Sequence, residues 1–137
     1  MKILNLIVIL IVISFSNSTE QSIFFVYNAE DDFLSEVRDF FHKKVSPKTY
    51  PCQLCKLTYG TFFKKSEWEL FLANLNYPYK FIYKNNIKEI NYNKNQYPVI
   101  LFGNKEKNEI LISKDELSTC KTIEELIEKM KLQLKEN

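Results

Sequence analysis

The sequence predicts an α/β fold, because segments with strand character alternate with segments of helical periodicity. Three observations carry this prediction. Residues 22–27, Ser-Ile-Phe-Phe-Val-Tyr, form a strongly apolar run rich in aromatic and β-branched side chains, which indicates a strand buried on both faces in the middle of a sheet. Residues 122–134 place their apolar side chains on one helical face. Residues 99–113 contain two short strand-like runs joined by a polar turn, the pattern of a hairpin.

The N-terminal residues have the pattern of a secretory signal peptide. Lys2 gives a positive start, residues 3–13 are apolar apart from Asn5, and small polar residues follow. A membrane-spanning helix needs roughly 20 apolar residues, more than this stretch offers. We therefore expect residues 1–18 to be removed and residues 19–137 to form one secreted or extracytoplasmic domain without a stable membrane anchor.

A helix is predicted after the first strand. Asp31 and Asp32 suit its first turn, Lys43 and Lys44 suit its last turn, and Pro47 ends it. His42, at its polar end, is interpreted as a contact with the negative end of the helix dipole. The apolar face of this helix comprises Phe33, Leu34, Val37, Phe40 and Phe41.

Further along the chain, helices and strands continue to alternate. Ser66 with Glu69 has the spacing of a capping box and begins a helix whose Trp68 we expect in the core. Residues 79–83 alternate as a second strand. The third strand, residues 99–102, begins directly after Tyr97-Pro98, the fourth covers residues 109–113, and Thr122 with Glu125 forms another capping box before the last helix.

Charge and composition exclude several classes of function. The chain has 19 basic and 17 acidic residues, and loss of Lys2 with the signal peptide leaves a net charge of +1. A nearly neutral chain gives no electrostatic case for nucleic-acid binding. With two glycines and one histidine, no phosphate-binding loop or nucleophile triad is found, and no cofactor is expected.

The chemistry-bearing motif is Cys52-Gln53-Leu54-Cys55. At the start of a short helix, unpaired backbone N–H groups would favour a thiolate at Cys52, which we expect as an exposed nucleophile with Cys55 as the buried resolving thiol. Two alternatives stay open. A disulfide without turnover would contribute only about 2 kcal/mol for so small a ring. A zinc site would also need Cys120 and His42, although secretion favours a disulfide and Cys120 is more simply a packed thiol.

The order of elements, with a Cys-x-x-Cys ahead of a helix and a proline opening the third strand, resembles the thioredoxin-like fold. Residues 97–102, Tyr-Pro-Val-Ile-Leu-Phe, are similar to that family's cis-proline segment. Residues 50–60 also resemble a motif in small uncharacterised bacterial secreted proteins. The sequence departs from the thioredoxin-like pattern in having Pro51 before the first cysteine and an extra helix between the first strand and the Cys-x-x-Cys.

The resemblance implies a central four-stranded mixed sheet flanked by helices. It also implies a thiol–disulfide oxidoreductase in which Pro98 shapes a groove facing Cys52 and Cys55. Its partners would be protein or small-molecule thiols and disulfides. The alternative is a non-catalytic thioredoxin-like binding module in which the two cysteines form a structural disulfide.

Overall fold

The protein folds around a four-stranded mixed sheet. A computed structural model describes residues 20–30, 52–59 and 64–136. The described strands are β1 (Ser22–Val26), β2 (Tyr79–Ile82), β3 (Val99–Gly103) and β4 (Asn108–Ile112). The described α-helices are α1 (Gln53–Thr58), α2 (Ser66–Ala73), α3 (Lys114–Thr119) and α4 (Ile123–Glu136), and a 3₁₀ helix covers Lys84–Glu89.

The sheet has the strand order β2-β1-β3-β4. β1 runs parallel to β2, with Ile23 opposite Tyr79, and antiparallel to β3, with Val26 opposite Val99. β3 and β4 form an antiparallel hairpin. The prediction of an α/β fold with a mixed four-stranded sheet is therefore confirmed, and the continuous apolar run of β1 occupies a central position with neighbours on both sides.

The two faces of the sheet are packed differently. One core cluster contains Ile23 and Phe25 of β1 and Tyr27 directly after it. All four described α-helices contribute buried side chains to the same cluster, including Leu54, Trp68, Leu117, Leu126 and Met130. The opposite cluster contains Phe24 and Val26, covered by side chains from the connection between β2 and β3, such as Ile90. Alternation along β1 thus follows the two-residue period of a strand, and α1 lies on the helical side.

The structure corrects the predicted N-terminal cap of α2. α2 begins at Ser66 with Lys65 as its N-cap, no side chain caps it, and the Ser66 hydroxyl donates to the Glu67 carboxylate. The predicted capping box of Ser66 and Glu69 is therefore wrong. Its spacing is right, but Ser66 lies one position inside the helix, where its hydroxyl cannot reach the orphan N–H groups of the first turn.

A second correction concerns the segment before the last helix. Sequence analysis places no helix between the fourth strand and Thr122, whereas residues 114–119 form α3. Its N-cap Ser113 accepts from the Glu116 N–H at 3.2 Å, and the Glu116 carboxylate accepts from the Ser113 N–H at 2.8 Å. At the start of α4, Thr122 accepts from the Glu125 N–H as predicted, while the Glu125 carboxylate accepts from the Lys121 N–H.

Three sequence-based predictions lie outside the described residues. They are the signal peptide of residues 1–18, the helix of residues 31–47 and the position of His42. Among residues 20–30, 52–59 and 64–136, no helix has the length and apolar character needed to cross a membrane.

Candidate functional site

The candidate site is a disulfide at the start of α1. Cys52 and Cys55 are joined, with their Cα atoms 5.3 Å apart. Cys52 is the N-cap residue in an extended conformation, and its Sγ accepts a hydrogen bond from the Cys55 N–H at 3.3 Å. The predicted short helix following Cys52 is thereby confirmed. The Cys52 sulfur thus accepts a hydrogen bond from an N–H of the first turn that would otherwise be unpaired.

Burial of the pair differs from the expectation. Cys52 is 0% exposed and Cys55 is 4% exposed, so the prediction of an exposed Cys52 is wrong and that of a buried Cys55 is confirmed. Both belong to the main core cluster together with Leu54 and Leu57. Leu54 and Leu57 pack in the core on the helical side of the sheet, and the Cys52 side chain is buried with them. Lys56 remains exposed, as expected.

The C-terminal end of α1 makes a buried polar contact with Tyr27, the residue that directly follows β1. The Thr58 hydroxyl donates to the Leu54 carbonyl at 2.8 Å and lies 3.2 Å from the Tyr27 hydroxyl. Tyr27 and Thr58 are both 0% exposed. Burial raises the pKa of Tyr27 well above its usual value, so this hydroxyl stays protonated and available as a donor.

The N-terminal end of α1 is attached to a different element. The Gln53 side-chain amide donates to the backbone carbonyl of Cys120 at 2.7 Å. Cys120 is the C-cap of α3, and its free thiol is buried, which confirms the interpretation of a packed thiol. Burial raises the pKa of Cys120, so the neutral thiol is favoured at this position.

Beyond Thr58, the amino group of Lys64 lies near two aromatic rings, those of Tyr59 and Phe81. Tyr59 pairs with Lys64 in an isolated antiparallel bridge. The Lys64 Nζ lies 3.8 Å from the centre of the Phe81 ring, close enough for a cation–π contact. Burial lowers the pKa of Lys64 and raises that of Tyr59. This end of α1 is therefore rich in aromatic contacts and carries one partly desolvated cation.

Pro98 lies directly before β3. The Tyr97–Pro98 peptide bond is cis, and Pro98 is buried. The last pair of the β1–β3 ladder is Val26 opposite Val99. Pro98, before Val99, and Tyr27, after Val26, therefore lie at the same end of the sheet. Tyr27 in turn contacts Thr58. The structure thus joins Cys52 to Cys55 and places Pro98 at the sheet end where α1 is attached.

The structure describes only part of the proposed zinc ligand set. In the described stretches, no group of three or more His, Cys, Asp or Glu side chains is placed to hold a metal ion. His42 lies outside those stretches. Cys52 and Cys55 are joined to each other, and disulfide sulfurs lack the thiolate charge with which cysteine binds zinc.

None of the protein-family models, curated proteins and solved structures with which the chain was compared matches it.

Sequence analysis missed the polar side chains that fix α1. A threonine four residues after Leu54 in a short helix is a signal for a hydroxyl bonded to the preceding turn, and Thr58 makes that bond. Its contact with Tyr27 joins residues 31 positions apart, and the Gln53 contact joins residues 67 positions apart. Neither distant contact has a local sequence signature.

Proposed function

We propose that this protein is a thioredoxin-like thiol–disulfide oxidoreductase that acts through Cys52 and Cys55. The observation that carries the proposal is the placement of the disulfide at the start of a helix, with Cys52 Sγ accepting from the Cys55 N–H. After reduction, the same N–H would stabilise negative charge on Cys52, because thiolates at helix N-termini have lowered pKa values. Cys52 is therefore proposed as the sulfur that forms the mixed disulfide, and as the nucleophile when the reduced pair attacks a substrate disulfide.

The fold supports the thioredoxin-like part of this proposal. The described order is β1, α1, α2, β2, the 3₁₀ helix, the β3–β4 hairpin, the short helix α3 and the final helix α4, around a mixed sheet. Pro98 directly precedes β3, which pairs with the central strand β1. These features agree with the family pattern that the sequence resembles, and Pro98 is proposed to shape the approach to the cysteine pair.

The proposed reaction of the oxidised pair with a dithiol substrate takes two exchanges. A substrate thiolate attacks Cys52 Sγ, the Cys52–Cys55 bond breaks, and Cys55 leaves as a thiolate that takes up a proton. The second substrate thiolate attacks the substrate sulfur of the mixed disulfide and releases Cys52. Two electrons and two protons pass from the substrate to the cysteines. Because Cys52 is buried, a substrate reaches it through a local opening at the start of α1.

Burial favours a second candidate function. Cys52 and Cys55 are nearly inaccessible and share the core cluster with apolar side chains of α1. A disulfide in that environment suits a clasp that keeps α1 against the sheet of a non-catalytic thioredoxin-like binding module. The two functions differ in a measurable quantity, since structural disulfides typically have reduction potentials below about −300 mV.

The deciding experiment combines a potential with a trapping assay. We expect the pair to have a potential above about −300 mV and the protein to catalyse exchange between thiol and disulfide peptides. Cys55→Ser should accumulate a mixed disulfide through Cys52, while Cys52→Ser should not. Cys120→Ala is the control, because it removes the third thiol. A potential below −300 mV without exchange would establish the structural clasp.

Secretion is proposed on the signal-peptide pattern of residues 1–18, because an oxidising compartment would maintain the disulfide. Sequencing the N-terminus of the exported protein tests this. A mature chain starting near residue 19 is expected, and one that keeps Met1 would contradict it.

A further inference from the structure

Two polar contacts fix α1, one at each end. At the first turn, the Gln53 amide binds the carbonyl of Cys120. At the last turn, the Thr58 hydroxyl lies between the Leu54 carbonyl and the Tyr27 hydroxyl. Gln53 and Leu54 are the two residues enclosed by the cysteines, so both contacts act on the backbone that carries the disulfide.

The hydrogen-bond direction at Thr58 follows from the chemistry of the groups. A carbonyl oxygen can only accept, so the single hydroxyl proton of Thr58 goes to Leu54 at 2.8 Å. The Tyr27 hydroxyl must then donate to Thr58 across 3.2 Å. Tyr27, directly after the central strand β1, is thereby linked to the Leu54 carbonyl through the Thr58 hydroxyl. Both hydroxyl protons of this hydrogen-bond series have an acceptor.

We propose that Tyr27 and Thr58 are positioning residues that set the reduction potential of the Cys52–Cys55 pair by holding α1 in place once the disulfide is broken. The inference rests on the proposed function, for which the potential matters. In the oxidised protein, the small disulfide ring itself restrains residues 52–55. In the reduced protein only non-covalent contacts keep Cys52 Sγ beside the Cys55 N–H.

Because the covalent ring is present only in the oxidised form, the direction of the change in reduction potential can be predicted. Replacing Thr58 by valine leaves the Tyr27 hydroxyl buried without its acceptor in both redox forms, so that cost largely cancels in the potential. Loss of restraint on α1 affects mainly the reduced form, which lacks the covalent ring. The reduced form is therefore destabilised relative to the oxidised form, and the pair becomes harder to reduce.

The test is the equilibrium of the full-length protein with dithiothreitol, which is oxidised to its cyclic disulfide as Cys52 and Cys55 gain two electrons and two protons. For Thr58→Val and Tyr27→Phe, we expect the equilibrium constant for reduction to fall threefold to tenfold, a potential more negative by about 15–30 mV. Thr58→Ser keeps the hydroxyl and should stay within twofold of the wild type.

A matched control separates positioning from general loss of stability. Ile82 belongs to the core cluster on the opposite face of the sheet, so Ile82→Val should lower stability and leave the equilibrium within twofold. The inference is overturned if Thr58→Val and Tyr27→Phe leave the equilibrium unchanged, or if Ile82→Val shifts it equally. Where Thr58→Val does not fold by circular dichroism, Tyr27→Phe decides.

The two proposals fail separately in this design. Shifted equilibria in the Tyr27 and Thr58 variants, with no catalysed exchange by the wild type, would support the positioning role and overturn the oxidoreductase. Catalysed exchange with unshifted equilibria would support the oxidoreductase and overturn the positioning role.

Discussion

At the scale of single residues, Trp68 combines complete burial with a polar atom that has no partner in the described part of the chain. Its ring is edge-on to Phe25, with centroids 5.1 Å apart, and stacks on Phe71 at 5.4 Å. The side chain is 0% exposed, and its Nε1 has no hydrogen-bond partner among the residues that the structure describes. Packing against the sheet therefore outweighs the cost of one unpaired N–H.

Substitution of Trp68 should separate these two contributions. Trp68→Phe keeps a ring against Phe25 and removes the unpaired N–H, so we expect a loss of about 1–2 kcal/mol in the free energy of unfolding. Trp68→Ala should cost about 3–5 kcal/mol, because it leaves a cavity. Urea unfolding followed by circular dichroism measures both. Equal losses in the two variants would show that ring packing is not what Trp68 contributes.

At the scale of elements, the caps of α2 and α3 offer a paired comparison. Ser113 caps α3 reciprocally with Glu116, whereas Ser66 of α2 makes no cap bond. We expect Ser113→Ala to lower the free energy of unfolding by about 0.5–2 kcal/mol, and Ser66→Ala to change it by less than about 0.5 kcal/mol. Thermal and urea unfolding of both variants measure the difference. A larger effect at Ser66 would contradict the observed caps.

The capping box also gives α3 a dependence on pH. Hydrogen bonds from Ser113 lower the pKa of Glu116 from its usual value of 4.5. A lowered pKa in the folded state means that this stabilisation is present above pH 4.5 and is lost as the pH falls through the folded-state pKa. The backbone N–H of Ser113 is the main donor to this carboxylate, so the charge is tested at Glu116 itself. Glu116→Gln should cost less at pH 3 than at pH 7, and an equal cost would argue against the charged cap.

The β3–β4 hairpin depends on the only glycine in the described residues, Gly103. Its φ of +137° lies where side chains are strained, and an added Cβ would approach the Lys107 carbonyl oxygen and lie 2.8 Å from the Asn108 Cα. We expect Gly103→Ala to destabilise the protein by at least about 1–3 kcal/mol. Urea unfolding measures the loss, and Glu106→Ala, at an exposed position of the same turn, is the control. A neutral Gly103→Ala would contradict this backbone conformation.

For the molecule as a whole, prediction from sequence succeeds where the signal is local. β1 is predictable because residues 23–27 are all apolar, and α4 because its periodicity extends over several turns. α3 is six residues long, too short for a convincing period, although Ser113 and Glu116 carried the capping signal. Burial of Cys52 depends on distant segments that meet only in the folded chain, as the contact between Gln53 and Cys120 illustrates.

Burial of tyrosine hydroxyls should make the stability of the whole molecule sensitive to alkaline pH. Burial raises the pKa of Tyr27 and of Tyr59 above the usual value of 10.0. When the pKa is raised in the folded state, stability is fully present below pH 10 and is lost as the pH rises, because the unfolded chain ionises first. The free energy of unfolding should therefore decline above pH 10, by up to about 1.4 kcal/mol per pH unit for one fully buried tyrosine.

Urea unfolding between pH 8 and 11 measures this decline, and absorbance at 295 nm follows ionisation of the folded protein. Tyr27→Phe and Tyr59→Phe should each flatten the decline, Tyr27→Phe the more because its ring is completely buried. Tyr79→Phe is the matched control, since this side chain is 41% exposed and its replacement should leave the slope unchanged. An equal slope in all three variants would mean that Tyr27 and Tyr59 do not govern alkaline stability.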